Sequence, residues 1–147
     1  MRKIEDVLKV TCKVLNELKI DYVVAGGITL SILGSPRTTQ DIDIIVRIKK
    51  DVVPTFIKRF REEGFLVYEE EVYDALNERA HFTILDRKSP FRIDVKNASN
   101  DVEFLFLKNK RKVRLNDTDV WIWRVEDSII GKLLFGTKQD EVDAYTI

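Results

Sequence analysis

The sequence predicts a mixed α/β domain of the α+β kind. Three observations lead there. Short, β-branched apolar runs alternate with stretches of helical periodicity; two neighbouring pairs of strand-like runs are joined by links short enough for hairpins; and 147 residues suffice for one domain. At that length a chain buries roughly 70% of the surface its unfolded form exposes. No internal repeat or low-complexity tract interrupts it, so residues 1–147 are read as one unit, with a core over 20–97 and a C-terminal hairpin and helices over 101–147.

Residues 3–19 set Ile4, Val7, Leu8, Thr11, Val14, Leu15 and Leu18 at helical spacing with charges between, which predicts an amphipathic helix. Tyr22-Val23-Val24-Ala25 reads as a buried strand ended by Gly26-Gly27, and Ile28 to Leu33 as a short helix stopped by Gly34 and Pro36. Residues 42–48, Ile-Asp-Ile-Ile-Val-Arg-Ile, are the clearest strand. A helix over 51–63 follows, and the stop at Gly64 leads into a strand at Phe65–Tyr68. The acid-rich stretch 69–79 is compatible with a helix. Ala80 to Leu85 and Phe91 to Lys96 form a hairpin through a five-residue link, and Lys112 to Leu115 and Val120 to Trp123 form a second about Asn116-Asp117. Residues 125–135 and 138–146 read as two closing helices broken at Gly136.

The charge balance narrows the function classes. With 25 basic and 25 acidic residues the net charge is zero, which argues against a protein that coats nucleic acid or membrane by charge alone. One cysteine, Cys12, excludes an internal disulfide framework and suits a reducing, cytoplasmic setting, where it is a small buried hydrophobe. The N-terminus lacks the uninterrupted apolar core of a signal peptide. The longest uncharged run, Tyr22 to Pro36, has 15 residues and three glycines, short of the ~20 that span a bilayer. Charge is nonetheless uneven: Glu62 to Arg79 holds seven acids and one base, Arg87 to Arg114 nine bases and three acids.

One constellation carries chemistry. In the strand that follows Gly26-Gly27, alternation projects Asp41 and Asp43 from one face and Ile42 and Ile44 from the other, with the two aspartate Cα atoms about 6–7 Å apart. Like charges that close are unfavourable unless a cation neutralises them, and Mg²⁺ prefers such oxygen donors. Asp94, between Ile93 and Val95, has the same setting on a later strand. If the two strands are neighbours, three carboxylates share one patch, as two-metal phosphoryl transfer requires, with ions ~3.5–4 Å apart. A glycine pair between strand and helix lets backbone N–H groups approach phosphate oxygens, the helix adds its N-terminal dipole, and Thr29 or Ser31 offers a hydroxyl.

With these residues in place, the pattern resembles the nucleotidyltransferase superfamily that includes DNA polymerase beta. Gly26-Gly27, Asp41-Ile42-Asp43-Ile44 and Asp94 match its signature. It further resembles small prokaryotic members of the AbiEii-toxin and minimal-nucleotidyltransferase kind, through Arg37-Thr38-Thr39-Gln40-Asp41-Ile42-Asp43 and through Gly131-Lys132-Leu133-Leu134 followed by Lys138-Gln139-Asp140-Glu141-Val142-Asp143, where Gln139 departs from the tighter spacing. The likeness spans roughly residues 20–145.

It implies a mixed sheet with helices mainly on one side and transfer of a nucleoside monophosphate from an NTP to a hydroxyl. Asp41, Asp43 and Asp94 would be the catalytic residues and hold two Mg²⁺ ions, with Mn²⁺ able to substitute. Gly26, Gly27 and Thr29 would contact the nucleotide, and Arg37 and Lys132 would neutralise phosphate charge. The acceptor is left open among RNA or a tRNA end, a protein hydroxyl and a small molecule. So is the partner, whether a second copy of the chain or the other half of a toxin–antitoxin pair. The competing expectation is a catalytically weak nucleotide- or partner-binding module of the same fold, borrowing an acceptor-binding domain from a partner because the sequence ends at Ile147 within a helical stretch.

Other residues carry weaker signals. His81 alternates with Phe82 and, as a single histidine without an identifiable partner, reads as structural. Trp121 and Trp123 share one side of their strand and read as core or interface packing. Lys108, Lys110, Arg111, Lys112 and Arg114 form the densest basic stretch, a solvated hairpin or a track for an RNA backbone.

Overall fold

The structure, a computed structural model, describes residues 2–34 and 39–135. Their elements are α1 (Ile4–Glu17), β1 (Asp21–Ala25), α2 (Ile28–Ile32), β2 (Asp41–Arg47), α3 (Val53–Glu62), β3 (Phe65–Leu66), α4 (Glu69–Glu78), β4 (His81–Asp86), β5 (Arg92–Asn97), α5 (Asp101–Asn109), β6 (Arg111–Leu115), β7 (Thr118–Ile122) and α6 (Val125–Phe135). The strands form one mixed sheet in the order β3-β4-β5-β2-β1-β7-β6. β2 pairs parallel to β5 and β1 parallel to β7, while both expected hairpins, β4–β5 and β6–β7, are antiparallel. The mixed α/β class read from the sequence is the class observed.

Period-two alternation sorts the strands' residues between two faces. Ile42, Ile44 and Val46 of β2 and Ile93 and Val95 of β5 enter the main core, where α1, α3 and α4 cover them with Leu8, Leu15, Phe56, Phe60 and Val72. Phe56, Phe60, Phe65 and Phe82 meet there at centroid distances of 4.7–6.0 Å, and each such pair adds about 0.5–1.5 kcal/mol beyond its buried area. The opposite face has only a small apolar cluster of Val23, Ala25, Phe106, Leu107 and Trp123 beneath α5. Most of the helical packing therefore lies on one face, and part of the other is left for polar side chains.

Several boundaries differ from expectation, each for a local reason. The helix expected over 51–63 opens with a 3₁₀ turn, Lys50–Val52, before α3 begins, and Pro54 falls in its first turn, where no backbone N–H is needed. The strand expected at Phe65–Tyr68 stops at Leu66, because Tyr68 is the N-cap of α4. The acid-rich stretch is helical, with Glu69, Glu70 and Glu71 in its first turn, where the dipole favours them.

α5 has no counterpart in the sequence reading. Asn100 caps it, its side chain accepting the Glu103 N–H at 2.9 Å. The basic stretch is consequently divided: Lys108 lies on α5, Lys110 at its C-cap, and Arg111, Lys112 and Arg114 on the edge strand β6. The closing helix 138–146 lies outside the described residues. Among those described, no helix is long and apolar enough to cross a membrane.

Candidate active site

The site is built on the parallel pairing of β2 and β5. Its register sets Asp43 opposite Asp94 and Asp41 opposite Arg92. Neighbouring strands lie ~4.8 Å apart, and residues two apart on a strand are separated by about 6–7 Å. Three carboxylates and one guanidinium thus form a two-by-two array on the face turned away from the main core. Ile42, Ile44, Ile93 and Val95, the alternate residues, are buried and lock both strands in this orientation.

Each acid is held differently. Asp41 takes the Arg92 fork, with Nε donating to Oδ1 at 2.8 Å and Nη2 to Oδ2 at 3.2 Å. The same Nε lies 4.0 Å from Asp94 Oδ2. Asp41, bonded to it, and the nearby Asp94 and Asp43 hold the Arg92 guanidinium above its ordinary pKa. Asp94 accepts a 2.8 Å hydrogen bond from the Thr83 hydroxyl, presented by the facing position of β4. Thr83 is steadied in turn by its backbone N–H, which donates to Glu71 of α4 at 3.0 Å. Sequence reasoning found neither Arg92 nor Thr83.

Asp43 defines the need for glycine at position 26. Gly26 has φ +75°, a conformation that L side chains rarely adopt, and a Cβ there would overlap the Asp43 carboxylate. The missing side chain thus lets the Asp43 carboxylate pack directly against the turn. Gly27 has ordinary helical dihedrals and is the N-cap of α2, whose five residues make only a slight dipole. Thr29 is buried beneath the turn, where its hydroxyl donates to the Gly26 carbonyl at 2.7 Å and accepts from Trp123 Nε1 at 3.1 Å. Its hydroxyl therefore fastens the glycine turn to the sheet. Arg37 lies outside the described residues. Lys132 is on α6, its side chain likewise outside what is described.

A cleft of about 720 Å³ opens over this face, lined by Gly26, Gly27, Asp43, Asp94, His81 and Lys96 among others. That volume falls within the range of small-molecule sites. His81 is exposed on the cleft wall, opposite Lys96 in the register of β4 on β5. Lys96 is bonded to Glu103 at 2.6 and 2.8 Å and to Ser99 at 2.9 Å. This half-buried pair ties α5 to the cleft floor. Trp123 packs edge-on against Phe106 at 5.6 Å, as a core residue. Trp121 stands beside the ammonium groups of Lys110 and Lys112, at 4.8 and 5.9 Å.

The donor chemistry, oxygen ligands only, fits a hard divalent cation, and Asp43 and Asp94 both line the cleft. Yet among the described residues no three acidic, histidine or cysteine side chains converge closely enough to hold one. Asp41, turned to Arg92, would have to be released first.

No protein family's sequence profile matches the chain, and no curated protein matches it. Solved structures do. An antigenic nucleotidyltransferase-like protein from Paracoccidioides brasiliensis superposes with a TM-score of 0.62 at 16% identity, over 97% of this chain and 72% of that one. A candidate nucleotidyltransferase from Thermotoga maritima gives 0.62 at 15%, over 99% and 93%. A lincosamide antibiotic adenylyltransferase, LnuA, solved with lincomycin bound, gives 0.57 at 15%, over 90% and 89%. At these identities the likeness is one of fold: the chain has the nucleotidyltransferase fold.

Proposed function

We propose that the protein transfers a nucleoside monophosphate from an NTP to a hydroxyl acceptor, with divalent metal required. The observation that carries this reading is the register of β2 on β5, which brings Asp94 beside Asp43, with Asp41 next along the same face and the Gly26 turn adjoining. A purely structural role gives no reason to gather three acids in that way.

Asp41, Asp43 and Asp94 would hold Mg²⁺, or Mn²⁺ in its place. When bound, the metal supplies charge neutralisation at the triphosphate and a more acidic acceptor hydroxyl. In the transfer, the acceptor oxygen bonds to the α-phosphorus, the bond from that phosphorus to the β-phosphate's bridging oxygen breaks, and pyrophosphate leaves. Asp94, steadied by Thr83, would take or orient the acceptor's proton. Backbone N–H groups of the Gly26-Gly27 turn, which lines the cleft, would contact the β- and γ-phosphates, with Thr29 holding the turn from below. Arg37 and Lys132 are the expected further phosphate contacts.

For the acceptor, a cleft of about 720 Å³ and a match to most of the antibiotic adenylyltransferase's length favour a small hydroxyl-bearing molecule. In the toxin–antitoxin setting that the AbiEii-type resemblance implies, the acceptor would instead be a tRNA end or a protein hydroxyl. The test is incubation with each α-³²P-labelled NTP, Mg²⁺, and separately RNA, protein and small-molecule fractions of a lysate. Label is expected on one acceptor class with the wild type and on none with Asp43→Asn; equal labelling by that variant refutes the proposal.

A further inference from the structure

Resting on the metal-dependent reading above, we propose that Arg92 is the site's own counter-cation, which occupies Asp41 in the metal-free protein and must leave it for a divalent ion to bind. Three carboxylates within neighbouring strand positions repel one another when no cation lies among them. Lys96, the next residue of β5 to project from that face, is committed to Glu103 and Ser99. Arg92 is placed by register on Asp41 itself and reaches to 4.0 Å from Asp94.

The bond is specific and yet displaceable. Fork-to-carboxylate geometry uses both Asp41 oxygens, which a metal ligand would need. The side chains of Arg92 and Asp41 are 53% and 40% exposed, and ion pairs so open to water are weakly held. A doubly charged ion drawn by three carboxylates therefore outcompetes a single guanidinium at one of them. A guanidinium left nearby would still repel the ion. Arg92 thus weakens metal affinity in the nucleotide-free protein while stabilising the fold in the metal's absence.

The experiment is Mg²⁺ titration of the nucleotide-free full chain by calorimetry, paired with thermal melts with and without Mg²⁺. Arg92→Ala is expected to bind Mg²⁺ about three- to tenfold more tightly than the wild type. Arg92→Lys, which keeps the charge but loses the fork, should tighten binding about twofold or less. Without Mg²⁺, Arg92→Ala should melt below the wild type, and saturating Mg²⁺ should close that gap. A cross-strand pair with only a structural role would leave the gap open and the affinity unchanged, and that result overturns the proposal. If Arg92→Ala does not fold, Arg92→Gln replaces it under the same criteria. Asp43→Asn must weaken Mg²⁺ binding, which locates the ion. Absence of Mg²⁺ binding in every protein refutes both this proposal and the metal reading. Tight binding indifferent to residue 92 refutes this proposal alone.

Discussion

The two faces of β2 and β5 are made by alternate residues of the same two strands and serve opposite ends. On one, Ile42, Ile44, Val46, Ile93 and Val95 are sealed under α1, α3 and α4 in a continuous apolar core. On the other, Asp41, Asp43, Arg92, Asp94 and Lys96 stand on a half-open surface, where Asp41 is answered by Arg92, Asp94 by the Thr83 hydroxyl and Lys96 by Glu103. The first face supplies the stability that lets the second hold like charges side by side. The contrast also teaches where substitutions should act: on folding at one face, on chemistry at the other.

The largest effect expected on the apolar face is that of Phe56→Ala. Its ring is fully buried against Phe60 and Phe82, and its loss should cost about 3–5 kcal/mol in denaturant unfolding. On the acidic face, Asp43→Asn, isosteric and on a half-open surface, should cost far less stability than Phe56→Ala while lowering NMP transfer by ~10²–10³-fold. If Asp43→Asn instead unfolds the protein, the division between the faces is wrong.

Gly26→Ala sits where the two roles meet. Strain at φ +75° and overlap with Asp43 should cost about 1–3 kcal/mol and displace the carboxylate, so stability and transfer should fall together.

The smallest effect is at Cys12, sealed in the core, where burial raises the thiol from 9.0 to about 12. Its contribution to stability is complete below pH 9 and is lost as pH rises from there toward 12, since only the unfolded chain's thiol ionises in that window. Native protein should resist thiol reagents at neutral pH and react once unfolded.

Alternation along β2 and β5 was legible in the sequence, and with it the face on which Asp41, Asp43 and Asp94 project. Their neighbours were not. Which residue lies beside Asp41 depends on the register of two strands 51 residues apart, so Arg92 and the Thr83 brace emerge only from the fold. α5 escaped for another reason. Phe104-Leu105-Phe106-Leu107 is apolar on every side and shows neither helical nor strand period. A signal was nonetheless present: Asn100 followed three residues later by Glu103 is a helix-start pattern, and Asn100 does cap the helix.

Whether the carboxylate face binds a nucleotide through a divalent ion is decided by measuring the binding of each NTP with Mg²⁺ and with EDTA, in the wild type and in Asp43→Asn. The wild type should bind in Mg²⁺ alone, and binding should be lost in EDTA or in the variant. Equal binding with and without the metal, or full binding by Asp43→Asn, would contradict binding through the ion.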